Sequence, residues 1–123
     1  MNSIQLIALN DFPSIEPYDD LVKIILKSIN SNNISIDDRD VIVIAHKIVS
    51  KAENRYLDLN KIDVSEDAKN LAIDLNKDAG LIQAIINESN KILSTDKNVV
   101  IVEHKLGFIN INAGIDLSNI PRS

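Results

Sequence analysis

Short apolar runs separated by polar turns predict alternating strands and helices along this chain. Residues 4–9 are largely apolar and lead into a polar segment, which is typical of a strand that enters a loop. Residues 41–44 form an uninterrupted β-branched run, which predicts a strand buried on both faces. Residues 99–102 predict a second buried strand, and residues 107–111 predict a third strand that pairs with it.

Apolar residues at helical spacing predict three helices between these strands. The acidic pair Asp19-Asp20 suits the start of the first helix, and a helical hairpin precedes the last strands. The residues on the apolar faces are Leu21, Ile24, Ile25 and Ile29 in the first helix, Ala68, Leu71, Ala72 and Leu75 in the second, and Leu81, Ile82, Ile85, Ile86 and Ile92 in the third. The predicted fold class is α/β (α+β), with a mixed sheet and one domain spanning residues 1–123.

Composition and charge narrow the class of protein. The chain has 123 residues, 45% of them hydrophobic and 25% charged, as in an ordinary globular domain. The net charge of −5 argues against nucleic acid as a partner, because phosphate binding usually needs a basic patch. The absence of cysteine excludes disulfides and thiolate sites. Without a signal peptide or a long apolar stretch, we expect a cytoplasmic protein with no membrane partner.

Polar residues follow the run 41–44 directly, where ligands often bind in open α/β sheets. Lys47 and Lys51 are four residues apart and share a face if the segment is helical, so either could neutralise a phosphate. Two solvated surface lysines are the simpler interpretation. His46 either bonds a nucleotide or caps the preceding strand.

A second polar cluster lies near the carboxyl end, where Asp116 is followed closely by Ser118 and Asn119. Magnesium is often bound by one or two carboxylates together with substrate phosphates, so Asp116 could supply part of a metal site. The alternative is an Asx turn that only satisfies backbone N–H groups. Neither GxxxxGK[ST] nor GxGxxG occurs in the sequence, so a nucleotide site here would be of an unusual type.

Two long motifs closely resemble the coenzyme F420-0:L-glutamate ligase family, also called the γ-glutamyl ligases of the deazaflavin coenzyme F420. Shorter segments support the resemblance, which spans essentially the whole chain in the right order. The main motifs are Lys47-Ile48-Val49-Ser50-Lys51-Ala52-Glu53-x-Arg55 and Asn112-Ala113-Gly114-Ile115-Asp116-x-Ser118-Asn119; the shorter ones are Phe12-Pro13-Ser14-Ile15, Pro17-Tyr18-Asp19-Asp20-Leu21 and Val102-Glu103-His104.

The resemblance implies a GTP-dependent ligase that adds L-glutamate to coenzyme F420-0 through an acyl phosphate, with Mg²⁺ or Mn²⁺ at the phosphates. It also implies a homodimer when the protein is intact. By position, the loop Phe12-Pro13-Ser14-Ile15 would line the GTP, and His46 and Asn119 would contact it. Lys51 would hold a phosphate and Asp116 would bind the metal, and both would be catalytic residues.

The chain departs from the family pattern at glycine positions and in length. Asp11 and Asn54 replace glycines of the family, and Tyr18 stands in the segment where the family has Pro-Gly-Asp-Asp-Leu. Family members continue into a second portion with an Asp-Thr pair that completes the metal site. We therefore expect an N-terminal part of the ligase-like domain, inactive by itself. The alternatives are a non-catalytic GTP- or metal-binding module of the same fold, and an unrelated α/β domain.

Overall fold

The computed structural model describes residues 2–118 of the chain. Contacts divide the chain into two compact units, Met1–Tyr56 and Leu57–Ser123, and each unit is described by itself. The expectation of a single domain over residues 1–123 stays a prediction.

The first unit contains two helices, α1 (Leu21–Ser31) and α2 (His46–Ala52). The side chain of Asp20 caps α1 by accepting the backbone N–H of Lys23 at 3.0 Å. Ile29 is buried on one face of α1, and the exposed positions carry charged and polar residues together with Val22 and Leu26. The helix predicted from the apolar spacing after residue 20 is therefore confirmed.

The two strands predicted in this unit are wrong for the described residues. Neither segment 4–9 nor segment 41–44 has a strand partner there, and the side chains of Val41 and Val43 are 83% and 86% exposed. A β-branched run favours extended backbone, but a strand also needs a neighbour to accept and donate its ladder hydrogen bonds. The sequence pattern indicates the preference for extended backbone, but it does not show whether a partner strand is present.

The second unit holds the remaining regular structure of the described chain. Its helices are α3 (Glu66–Leu75) and α4 (Ala79–Asn87), which confirms the helical hairpin. Its strands are β1 (Ser89–Ser94), β2 (Ile101–His104) and β3 (Ile109–Ile111), and short 3₁₀ turns cover Leu59–Lys61, Asp96–Asn98 and Asn112–Gly114. The apolar spacing predicts Ile92 in the third helix, and this is wrong. The helix ends at Asn87, and Ile92 lies in β1.

The three strands form an antiparallel sheet in the order β1-β2-β3. Val102 of β2 is opposite Ile92 of β1 and Asn110 of β3. A short turn ending at Gly107, which has a φ of 88°, joins β2 to β3. The α+β class is confirmed, whereas the mixed sheet is wrong for the described residues, since successive strands joined by short turns pair antiparallel.

The hydrophobic core of the second unit lies between the helical hairpin and the sheet. Ile82 and Ile85 of α4 pack with Val100 and Val102, and all four side chains are inaccessible to solvent. Gly80 allows the start of α4 to approach the 3₁₀ turn Leu59–Lys61, because a Cβ at residue 80 would lie 2.6 Å from the carbonyl oxygen of Leu59. This core positions β3 and the turn after it, which carries Asp116.

Three helices end at an asparagine with left-handed backbone: Asn33 after α1, Asn54 after α2 and Asn76 after α3, with φ of 54°, 51° and 49°. In each case the next residue's N–H bonds to a carbonyl five residues earlier, as in a Schellman motif. Glycine is the usual residue at such a position, and asparagine tolerates it better than other residues do.

Candidate functional site

The loop predicted to line a nucleotide, residues 12–15, lies in the first unit and is partly exposed. Pro13 and Ser14 are exposed, Phe12 is half-buried, and the side chain of Ile15 is only 1% exposed. Ile15 therefore anchors the loop, and Pro13 and Ser14 present the surface that a ligand can reach. The role of these four residues in GTP binding stays a prediction.

The segment of the second candidate group is helical, so Lys47 and Lys51 do lie one turn apart on α2. Both side chains are half-buried, and His46 is exposed at the first position of the helix. His46 does not cap a strand, because no strand precedes it in the described residues. Lys51 lies in the last turn of α2, where the carbonyl end of the helix dipole favours a cation.

Two hydrogen bonds connect the loop of residues 16–20 to the end of α2. The Tyr18 N–H donates to the carbonyl of Ala52 at 2.8 Å, and Asn54 Nδ2 donates to Tyr18 Oη at 2.7 Å. Sequence reasoning did not single out Tyr18 as a connecting residue. The family that the sequence resembles has glycine at the position of Tyr18. The φ of Tyr18 is 71°, a value at which glycine or asparagine is usual, so this glycine position was the available sequence signal.

Asp116 follows a tight turn after β3 in which three successive residues have left-handed backbone. The φ values of Asn112, Ala113 and Gly114 are 53°, 52° and 75°. Ala113 is buried in the core of the second unit, and packing holds it in a conformation that alanine rarely adopts. The Asp116 Oδ1 accepts the Ser118 N–H at 2.8 Å, so the Asx contact considered from sequence is present and fixes the carboxylate.

The donor atoms around this turn fit the chemistry of a hard divalent cation. Asp116 has a carboxylate, and in the segment before it the amide oxygens of Asn110 and Asn112 are buried without a hydrogen-bond partner among the described residues. Magnesium and manganese favour such oxygen ligands. Within residues 2–118, no group of three or more His, Asp or Glu side chains could hold a metal. The carboxylate of Asp116 is compatible with one ligand position of a metal site, and its role as a metal ligand stays a prediction.

The candidate residues are distributed over both units. Lys51, His46 and the loop of residues 12–15 belong to the first unit, and Asp116 belongs to the second. The structure brings the loop segment of Tyr18 to the end of α2 within the first unit. Asn119, predicted to contact GTP, lies outside the described residues.

The family follows from a comparison with protein-family models. Residues 10–123 match the model described as F420-0:Gamma-glutamyl ligase. The chain belongs to this family. The match covers the loop of residues 12–15, the whole of α2 and the Asp116 turn, which confirms the resemblance seen in the two long motifs.

Curated relatives agree with this assignment. The chain is 37% identical over 117 residues to the coenzyme F420:L-glutamate ligase of Methanothermobacter thermautotrophicus, covering 95% of the chain and 46% of that relative. It is 34% identical to the enzyme of the same name from Archaeoglobus fulgidus, again over 95% of the chain and 45% of the relative. The chain thus spans less than half the length of these relatives. None of the helices in residues 2–118 is long and apolar enough to cross a membrane.

Proposed function

We propose that this protein acts in the GTP-dependent ligation of L-glutamate to coenzyme F420-0. The family match over residues 10–123 carries the proposal. The relatives named above are coenzyme F420:L-glutamate ligases, and each is similar to this chain over 95% of its length. The proposed partners are GTP, L-glutamate and F420-0, with Mg²⁺ or Mn²⁺ as the metal.

The proposed reaction has two steps. A carboxylate oxygen of F420-0 attacks the γ-phosphorus of GTP, which forms an acyl phosphate and releases GDP. The amine nitrogen of glutamate then attacks the acyl carbon, the bond from that carbon to the phosphate oxygen breaks, phosphate leaves with the electron pair, and the amine proton goes to solvent. Catalysis of this kind depends on positioning and on stabilising charge at the phosphate oxygens.

In this proposal Lys51 supplies positive charge to a phosphate oxygen, since an ammonium group acts there as a point charge. Asp116 would hold the divalent metal, which would offset the negative charge that develops on the phosphate oxygens. The Ser118 N–H orients the Asp116 carboxylate for this role. Pro13 and Ser14 form the accessible part of the nucleotide loop. Homodimer formation and a cytoplasmic location stay predictions.

Mass spectrometry tests the activity directly. The intact protein that contains this chain is incubated with F420-0, L-glutamate, GTP and MnCl₂, and the F420-0 is expected to gain one glutamyl unit. Lys51→Ala and Asp116→Asn should each lower the rate by about a hundredfold or more, as when one transition-state contact is removed. Asp116→Asn keeps an oxygen that can accept the Ser118 N–H, so its effect reports the lost charge rather than a lost turn.

Exposed residues of the same type provide matched controls. Lys27→Ala on α1 and Asp63→Asn before α3 remove the same charges from exposed positions outside the candidate site, and both should retain the wild-type rate. If GTP binds in a metal-dependent manner and no glutamyl product forms, the protein is a binding module rather than a ligase. If neither binding nor product is found, the proposed function is wrong.

A further inference from the structure

Tyr18 and Asn54 both have left-handed backbone, which asparagine tolerates but which is unusual for tyrosine. The φ of Tyr18 is 71° and that of Asn54 is 51°, and their side chains join through the 2.7 Å bond from Asn54 Nδ2 to Tyr18 Oη. A left-handed conformation costs a bulky L-residue about 1–2 kcal/mol. Both residues are exposed, so burial of their side chains does not offset this cost.

Their contacts complete the carboxyl end of α2. A helix leaves its last four carbonyls without partners inside the helix. Here each of the four carbonyls from Val49 to Ala52 accepts a backbone N–H, at 2.8 to 2.9 Å. Three of the donors follow the helix in the Schellman motif built around Asn54, and the fourth is Tyr18, which reaches Ala52 from 34 positions earlier in the chain. The carbonyls of the residues on either side of Lys51, Ser50 and Ala52, are therefore both hydrogen-bonded.

The loop that contains Tyr18 is also held at its other end. Asn32, which follows α1, accepts the N–H of Asn10 at 3.0 Å and donates Nδ2 to the Asn10 carbonyl at 3.2 Å. The segment of residues 12–15 lies between these two attachment points. A break at Tyr18 would therefore release one end of the loop and one carbonyl of the helix that carries Lys51.

We propose that Tyr18 and Asn54 are positioning residues that hold the end of α2 and the loop of residues 12–15 in one arrangement for nucleotide binding. The nucleotide part of this inference rests on the proposed function. The two residues touch no reacting atom. They act by fixing the backbone of Lys51 and the exposed surface at Pro13 and Ser14. Backbone strain that the surrounding contacts sustain is found preferentially at such sites.

Two single variants and one matched control separate this role from general stability. Tyr18→Phe removes the Oη acceptor, and Asn54→Gly removes the amide while keeping a residue that adopts left-handed backbone. Asn76→Gly is the control, because Asn76 ends α3 in the same Schellman motif and makes no hydrogen bond to a tyrosine within residues 2–118. Circular dichroism melts should give nearly equal Tm values for all variants and the wild type.

Hydrogen exchange of the Tyr18 amide is the first measurement, and calorimetry with GTP and MgCl₂ is the second. Tyr18→Phe and Asn54→Gly should each speed exchange at Tyr18 and weaken the GTP Kd by about fivefold, the usual worth of one hydrogen bond. The double variant should be no worse than either single one, since both remove the same bond. Asn76→Gly should change neither quantity.

The two measurements distinguish failure of this inference from failure of the proposed function. Unchanged amide exchange at Tyr18 in both variants would show that the bond between Tyr18 and Asn54 does not hold the Tyr18 backbone, and it would overturn this inference. Faster exchange with an unchanged GTP Kd would overturn the positioning role and leave the proposed function standing. A wild-type protein that does not bind GTP would count against the proposed function. The exchange data would still decide whether the bond between Tyr18 and Asn54 holds the Tyr18 backbone.

Discussion

Two β-branched runs of nearly the same composition have opposite fates in this protein. In residues 99–102 of the second unit, Val100 and Val102 are inaccessible to solvent and the run enters β2. In residues 41–44 of the first unit, every side chain is exposed and no strand pairs with the run in the described residues. Both runs carry the same pattern, and sequence reasoning predicted a buried strand for both.

The difference shows that a strand depends on its neighbours. β2 has β1 on one side and β3 on the other, and α4 covers its inner face. Those elements follow or precede β2 closely along the chain, so short connections bring them together at a small entropic cost. Residues 41–44 are followed at once by α2, which supplies no ladder hydrogen bonds. In the described residues the run has no strand partner, and its side chains stay exposed.

Hydrogen exchange should give the largest contrast between the two runs. Amides in residues 100–102 should exchange roughly a thousandfold more slowly than those in residues 41–44, because they open only with the core of the second unit. Exchange followed by NMR or mass spectrometry measures this ratio. Equal protection of the two runs would mean that residues 41–44 have a hydrogen-bonded partner in solution.

Truncation of one valine in each run gives the next largest effect. Val102→Ala should lower the free energy of unfolding by about 2–3 kcal/mol, from lost burial and the cavity left behind. Val43→Ala should change it by less than about 0.5 kcal/mol, because the side chain is already exposed. Urea denaturation measures both values. A comparable loss for Val43→Ala would contradict its exposed position.

The caps of two helices sharpen the comparison at a smaller scale. Asp78 caps α4 by accepting the Leu81 N–H at 2.8 Å, whereas Ala45 precedes α2 with extended backbone and no side-chain cap. Asp78→Ala should cost about 1 kcal/mol, and Ala45→Asp should gain up to about 1 kcal/mol in the first unit. Thermal melts would contradict this account if Asp78→Ala were neutral.

The smallest expected effect concerns acid stability at the start of the second unit. The backbone N–H of Asn60 and then the side chain of Lys61 lower the pKa of Asp58 below its ordinary value. The folded state thus favours the carboxylate, so this contribution is full above about pH 4 and is lost as pH falls through the folded pKa. Asp58→Asn should slightly flatten the loss of stability in acid, as followed by urea midpoints from pH 7 to pH 3. Lys61→Met removes the second cause alone and should give a smaller change of the same sign.

Part of the local geometry of the candidate site could be predicted from sequence. Lys47 and Lys51 were predicted to share a face if their segment is helical, and α2 provides that helix. The Asx contact of Asp116 with Ser118 was one of the two alternatives that the residue types left open. The link from Tyr18 to Ala52 and Asn54 could not be predicted, because it joins segments 34 and 36 positions apart and depends on the backbone path between them.

By itself, the sequence determined the family, the α+β class, the helices α1, α3 and α4, and the residue types of the candidate site, since these depend on contacts between near neighbours or on long motifs. Only the tertiary structure decided which β-branched run becomes a strand, that the sheet is antiparallel, and that Tyr18 closes the end of α2. Each of these depends on pairing between distant segments, and the free energy of such pairing is a property of the assembled neighbours rather than of the run itself.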